Sequence, residues 1–294
     1  MNRNLPYISV IVPVYNDQMG INACLESLTK QSYPPDRYEI IIVDNQSKPQ
    51  IVINDSLFKN TKLILCPVKG SYAARNAGVK TAKGDILAFT DADCQPDQEW
   101  IMKGIGTIQS SPKQCFVGGD VKMVLSEKPT SVELYQSLTG FMQKQNVELL
   151  GFSATANLFT PMDIFSKIGM FNEKLLSGGD REWSWRARAA GYEIKYAEDA
   201  FVVTSPRRTI SSAVRQAFRV AGGRYGLRRM NSSHVKESSI KPHRSPVEAM
   251  RWILMHPHLK AVDRFRILWV AILIKFSGII ETFRLKFLGK QLNR

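Results

Sequence analysis

The sequence predicts an α/β protein built on a mainly parallel sheet, followed by a basic helical region. Three observations predict it. Four apolar runs, at residues 8–14, 39–44, 62–66 and 85–90, alternate with helical patterns, the mark of a sheet covered on both faces. Two of these runs close on carboxylates, Asp44 in one case and Asp91 with Asp93 in the other. The charge is lopsided: residues 206–294 carry 19 Lys/Arg against 4 Asp/Glu, a net +15, while residues 1–205 sum to −1.

The elements follow in order. Residues 8–14 form a buried first strand. Asn16 or Asp17 then caps a helix that carries Ile21, Leu25 and Leu28 on one side and ends near Tyr33-Pro34-Pro35. The second strand closes on Asp44 and the third runs over 62–66. Ser71 caps a helix over 72–82 bearing Arg75 and Asn76 in its first turns. The fourth strand leads into Asp91-Ala92-Asp93. Residues 97–110 read as helix, 115–124 as strand and 131–150 as one long helix. A short helix starts at Pro161. Gly178-Gly179 opens a helix that Gly191 ends. Two short strands, 193–196 and 200–204, complete the first part. Beyond it, 209–229 is an amphipathic helix with Ile210, Val214, Ala217, Phe218 and Ala221 on one face, Arg208, Arg215 and Arg219 on another, and an interruption at Gly222-Gly223. Residues 231–245 form a polar loop. Residues 263–290 form a strongly apolar helix.

Bulk properties narrow the function classes. At 294 residues, with 44% hydrophobic and 22% charged residues, the chain holds one large domain or one domain with an appendage. Residues 1–205 are expected to be the catalytic domain and 206–294 a basic helical region. Cys24, Cys66, Cys94 and Cys115 have no CxxC spacing and sit in apolar stretches, as buried thiols of a reducing compartment do. The apolar run at 5–14 is too short for a secretion signal and contains two prolines. Lys275 and Glu281 cut the C-terminal apolar run, so that helix should lie on an interface or on protein and not cross a bilayer. The basic excess needs an anionic partner, a membrane surface or nucleic acid. The unbroken run 267–274 would be exposed in a soluble nucleic-acid binder, so no nucleic acid is expected.

Chemistry concentrates at element ends. Alternation along a strand points Asp91 and Asp93 the same way. Two adjacent carboxylates repel unless a cation lies between them, and a hard ion such as Mg2+ or Mn2+ carrying a phosphate fits. The alternative is a solvated turn; the buried strand before the pair argues for a site. Asp44 could accept from a base or ribose, or simply cap a turn. Arg75 and Asn76 could hold a phosphate or order the pair. Asp180 could serve as a base at a point where Gly178-Gly179 lets a substrate approach, or cap its helix. Glu182 is the competing carboxylate. Trp183 and Trp185 could line an acceptor pocket or belong to the core.

Together these stretches resemble glycosyltransferase family 2, enzymes of the GT-A fold. Val10 through Asp17 is similar to the family's first strand and nucleotide-binding turn, and Ile41 through Ser47 to its second strand. Gly70 with Ala74-Arg75-Asn76-Ala77-Gly78 matches its next motif, Gly84 through Asp93 its DxD, and Leu176 through Arg186 its acceptor-side motif. The resemblance implies an inverting transfer from a nucleotide diphosphate sugar to a glycan or lipid-linked hydroxyl. By it, Pro13, Tyr15, Asp17, Asp44, Arg75 and Asp91 bind the donor, and Asp93 with Asp91 holds Mn2+ or Mg2+. Asp180 is the base, and Gly179, Glu182 and Trp183 lie on the acceptor side. There are departures: Asn45 stands where Asp is frequent, Gly179 where Glu is frequent, and Thr204-Ser205 where a metal-contacting His is frequent. The Gln-x-x-Arg-Trp motif of processive synthases does not occur. A degenerate, non-catalytic nucleotide-sugar binder is the rival reading. The implied location is cytoplasmic, peripheral on the inner face of a membrane.

Overall fold

The structure, a computed structural model, describes residues 5–54, 60–230, 246–257 and 259–287. The expected loop 231–245 and the end of the last helix, 288–290, lie outside the described residues. The chain forms two units. The first comprises residues 1–122, 141–174 and 179–204, and the second 123–140, 175–178 and 205–294.

The first unit opens with β1 (Ile8–Val14), α1 (Gln18–Thr29) and β2 (Tyr38–Asp44). β3 (Thr61–Leu65), α2 (Ser71–Thr81) and β4 (Ile86–Thr90) follow. β1, β2 and β4 are buried at almost every position because helices cover both faces. α1 buries Ile21, Leu25 and Leu28 as its spacing predicts, and the Asp17 carboxylate accepts from the Gly20 N–H at 2.8 Å as its cap. Ser71 does not cap α2. It is the first helical residue, preceded by Gly70 at φ 127°, a conformation open to glycine.

β5 (Cys94–Pro96), α3 (Trp100–Gln109) and β6 (Cys115–Met123) come next. The long helix expected over 131–150 is two helices, α4 (Ser131–Thr139) and α5 (Gln143–Glu148). Met142 between them has φ 45°, a left-handed turn that no continuous α-helix accommodates. The first unit ends with β7 (Asn157–Pro161), α6 (Met162–Ile168), α7 (Gly179–Ala189) and β8 (Glu193–Thr204). β8 is one strand where two were expected. Its inward positions step from Ala197 to Ala200, a spacing of three across exposed Glu198-Asp199, which reads as a break in a two-residue pattern.

Among the described residues, eight strands make one sheet in the order β3-β2-β1-β4-β7-β6-β8-β5. β3-β2-β1-β4 is parallel; β4–β7, β6–β7 and β5–β8 are antiparallel.

The second unit contains α4, α8 (Ile210–Arg229), α9 (Pro246–Leu254) and α10 (Ala261–Phe287). α8 runs unbroken through Gly222-Gly223. Both glycines are buried, and a Cβ on Gly223 would lie 2.3 Å from the Ser177 carbonyl oxygen, so the glycine permits close packing and does not stop the helix. The inward residues of α8 are Ala213, Ala221, Gly222, Gly223 and Leu227, while Ile210, expected on the apolar face, is exposed. Val132, Ala213 and Val270 form the centre where α4, α8 and α10 meet.

Candidate active site

Parallel pairing sets Val14 beside Asp44 and Ile11 beside Phe89. The carboxyl ends of β1, β2 and β4 therefore share one sheet edge, where open α/β sheets bind ligands. Past β4 the chain turns through Asp91-Ala92-Asp93. Ala92 is buried, Asp91 partly buried and Asp93 exposed, and the Cys94 N–H donates to the Asp91 carbonyl at 3.1 Å, so a turn and not strand alternation sets the two carboxylates. β5 pairs with β8, Cys94 opposite Thr204, and the Thr204 hydroxyl donates to the Asp93 carbonyl at 3.0 Å. Thr204 thus supports the Asp93 backbone from the position where the family resemblance implies a histidine. Burial, with the nearby Asp93 and Asp91 charges, raises the Cys24 thiol, and the same causes raise Cys94. Both remain neutral packing groups.

Arg75, buried on α2, ion-pairs with Asp91. Its Nε is buried without an acceptor among the described residues. Asp91 and Asp93 offer hard oxygen donors, and no cluster of three or more His, Cys, Asp or Glu is present among the described residues. Mg2+ and Mn2+ sites with one or two protein carboxylates, completed by water and substrate phosphates, have this composition. The donor set fits such an ion.

α2 also carries Tyr72, which sequence reasoning passed over. The Tyr72 hydroxyl donates to Asp180 Oδ1 at 3.2 Å, and its ring lies 5.7 Å from the Arg75 guanidinium and 5.7 Å from the Phe171 ring. One turn of helix therefore connects Asp91, through Arg75 and Tyr72, to Asp180. Asp180 is the second residue of α7, and the Arg181 N–H also reaches Oδ1, at 2.8 Å. Gly179 has a specific steric reason: a Cβ there would lie 2.8–2.9 Å from three Tyr72 ring carbons. The signal was available in the sequence as an aromatic residue at the first turn of α2 together with glycine where a larger residue is frequent. Asn76 pins the approach to α7, donating to the Phe171 carbonyl at 2.9 Å and Glu173 Oε1 at 2.8 Å and accepting from the Phe171 N–H at 3.0 Å.

On the expected nucleotide side, Asp44 is almost wholly buried and its carboxylate accepts from the Ser47 N–H at 2.9 Å and the Ile51 N–H at 3.2 Å. It anchors the turn after β2. Asn45 ties that turn to the segment before α2, donating to the Val68 carbonyl at 2.6 Å and accepting from the Gly70 N–H at 2.7 Å. An aspartate could not make both bonds, since an ionised carboxylate only accepts. Asn16, at φ 53°, accepts from the Lys48 N–H at 2.7 Å. Tyr15 projects from the same turn with 60% exposure, and Pro13 is half-buried in β1.

Two expected acceptor-side residues are structural. Trp183 is fully buried, stacked on Phe165 at 5.1 Å, with its indole N–H donating to the Gly169 carbonyl at 2.9 Å. It is part of the core. Glu182 is buried and takes a two-pronged contact from Arg186, at 2.7 and 3.1 Å. Arg186 in turn donates to the carbonyls of Ile168 and Met170. Asp180, the other carboxylate of α7, is only partly buried.

Comparison with known proteins gives a consistent set. The family described as Glycosyl transferase family 2 matches residues 9–152. The glycosyltransferase AglE of Haloferax volcanii is 37% identical over 228 residues, covering 76% of this chain and 74% of that protein. The mannosyltransferase PcManGT of Pyrobaculum calidifontis, solved with GDP-Man and Mn2+, superposes with a TM-score of 0.65 at 17% identity, covering 97% of this chain and 89% of that one. TarS 1-349 of S. aureus, solved with UDP-GlcNAc, superposes with a TM-score of 0.54 at 17% identity, covering 94% of this chain and 89% of that one. At such identity the last two establish a shared fold.

Proposed function

The chain belongs to glycosyltransferase family 2, and from that premise we propose that it moves a sugar from a nucleoside diphosphate donor to a hydroxyl of a glycan or lipid-linked acceptor, with inversion at the anomeric carbon. The observation that carries this reading is the continuous set Asp91–Arg75–Tyr72–Asp180 on one helix and its neighbours. It joins a diphosphate-side carboxylate to a candidate base through two intervening side chains. The donors carried by the structural neighbours support the nucleoside diphosphate sugar class.

The chemistry follows from the groups present. The acceptor oxygen bonds to the anomeric carbon as its proton passes to Asp180. Tyr72 and the Arg181 N–H occupy Oδ1 and fix the carboxylate's rotation, so Oδ2 takes the proton. The bond to the diphosphate oxygen breaks, and its electron pair leaves with the diphosphate. When bound to Asp91 and Asp93, Mg2+ or Mn2+ supplies positive charge for that departing group. Arg75 holds Asp91 in place with a guanidinium that keeps its charge throughout. In this reading exposed Tyr15, on the turn that Asn16 braces, stacks on the donor base.

We assign donor binding and transfer to the first unit. The second, with its basic C-terminal stretch, is assigned to attachment on the inner face of an anionic membrane. Among the described residues no helix is long and apolar enough to cross a membrane, which fits a peripheral mode. The catalytic reading is tested by incubating the full chain with a panel of nucleotide sugars and Mn2+ or Mg2+ and following nucleoside diphosphate release. One donor turning over, with EDTA stopping it, supports the reading. Turnover that EDTA leaves unchanged removes the metal, and no binding of any donor removes the function.

A further inference from the structure

α10 has two faces. Ile267, Val270, Ser277, Glu281 and Leu285 are buried, packed toward α4 and α8 within the second unit. At about 100° per residue, the opposite side of the helix is a second apolar stripe. Phe265, Trp269, Ile272, Phe276, Ile279 and Phe283 recur at alternating spacings of three and four, and each is between 49% and 70% exposed. Four aromatic rings on one uncovered helix face exceed the scattered exposure normal for a soluble surface.

The rims of the stripe are basic. On the same helical projection Arg264, Lys275 and Lys286 flank one side, and Arg266 and Arg284 the other. Asp263 and Glu281, the helix's two acidic residues, project toward the packed side, where they pair with Arg266 and Arg284. We propose that this stripe is the surface that inserts into the headgroup–acyl boundary of an anionic phospholipid bilayer, with α10 lying in the membrane plane. The apolar sector is edged on one side by exposed Lys275 and Lys286 and on the other by the charge-paired Arg266 and Arg284, and exposed cations beside an apolar sector are how interfacial helices meet anionic lipid. Lys and Arg stems can lie along the apolar layer while their charges stay among the headgroups. A second copy of the chain is a poorer occupant. Pairing the stripe with itself sets basic rims against basic rims, with no acidic edge to meet them. A spanning arrangement is disfavoured because no described helix has the required apolar length.

The inference deepens the membrane part of the proposed function and does not depend on the assignment of the base. The test uses the full chain with phosphatidylcholine vesicles, with and without phosphatidylglycerol, and with lipids brominated on their acyl chains. The proposal expects sedimentation with the phosphatidylglycerol vesicles and quenching of tryptophan fluorescence by the brominated lipids. Trp269→Phe should abolish most of the quenching but retain sedimentation. Phe276→Asp, at an exposed position, should weaken partitioning about tenfold or more at an unchanged unfolding midpoint. Sedimentation without quenching through Trp269 overturns the stripe and leaves membrane attachment by charge alone. Failure to sediment with either vesicle overturns both. A wild-type dimer that Phe276→Asp converts to monomer, without vesicle binding, gives the face to a second copy.

Discussion

Tyr72→Phe is the sharpest perturbation of the site, because it removes one oxygen and leaves a buried ring in place. The hydroxyl donates to Asp180 at 3.2 Å, while the ring keeps its neighbours Phe171 and Arg75. Hydrogen bonds to charged groups contribute about 1.5–3 kcal/mol, and the length of this one places it near the lower end. If that bond fixes the rotation of the base, its loss lowers kcat about tenfold, since about 1.4 kcal/mol is tenfold in rate. Donor KM should not change, because Tyr72 acts through Asp180 and not through the nucleotide. Gly179→Ala reaches the same ring from the other side. Its Cβ would sit 2.8 Å from Tyr72 Cε2, an overlap that must displace the ring or the start of α7. Overpacking of this kind costs about 1–3 kcal/mol. Gly179→Ala should therefore lower both the unfolding midpoint and kcat, whereas Tyr72→Phe lowers kcat alone. Initial rates at saturating donor and acceptor, with thermal unfolding of each variant, separate the two. A Tyr72→Phe enzyme with full kcat, or one whose loss lies entirely in donor KM, refutes the reasoning.

Glu182→Gln should cost stability before it costs chemistry: it removes the charge that holds Arg186, so the unfolding midpoint falls while kcat of the folded enzyme changes by less than about tenfold. Acid titration of the second unit should follow Glu133. Hydrogen bonding by the Thr130 N–H, with Ser126 adding to it against the effect of burial, holds the Glu133 carboxyl at about 2. A carboxyl lowered on folding stabilises the native state above its unfolded value, and that contribution is lost as pH falls through the folded value. The loss should therefore run from about pH 4.3 down to about 2, monitored by circular dichroism. Glu133→Gln should be less stable at neutral pH and flatter across that window; an unchanged acid profile would sink the assignment.

Much of the fold was legible because buried strands and capped helices leave local marks. The runs ending at Asp44 and Thr90, the Asp17 cap and the glycine turn at Gly178 were all readable. The readings that failed depend on tertiary contacts. Gly222-Gly223 looks like a breaker until Ser177 is known to press against it. The break at Met142 is a left-handed residue with no glycine at that position to announce it. In the site, the carboxylates were legible as residue types at strand and helix ends. Their supports were not: Tyr72 lies 108 positions from Asp180 in sequence and Thr204 lies 111 from Asp93. Periodicity carries no information about pairings that distant. The resemblance implies the acceptor side for Trp183 and Glu182, and the residues alone left core open for Trp183; burial is invisible to a motif, and the structure shows one as a core ring and the other as an anchor for Arg186. The stripe on α10 is a related case. The sequence showed an apolar helix, and only the packing separates the face that is covered from the face that is not.

The central claim is that Asp180 takes the acceptor's proton while Asp91 and Asp93 hold the diphosphate side. The most direct measurement compares Asp180→Asn with Asp93→Ala, using titrated donor binding and single-turnover transfer with the same donor. Asp180→Asn should bind donor with wild-type affinity and transfer slower by on the order of 10²-fold or more. Asp93→Ala should lose the Mn2+-dependent part of donor binding along with transfer. An Asp180→Asn enzyme that transfers at the wild-type rate, or an Asp93→Ala enzyme whose donor binding and turnover stand unchanged in EDTA, would contradict the account.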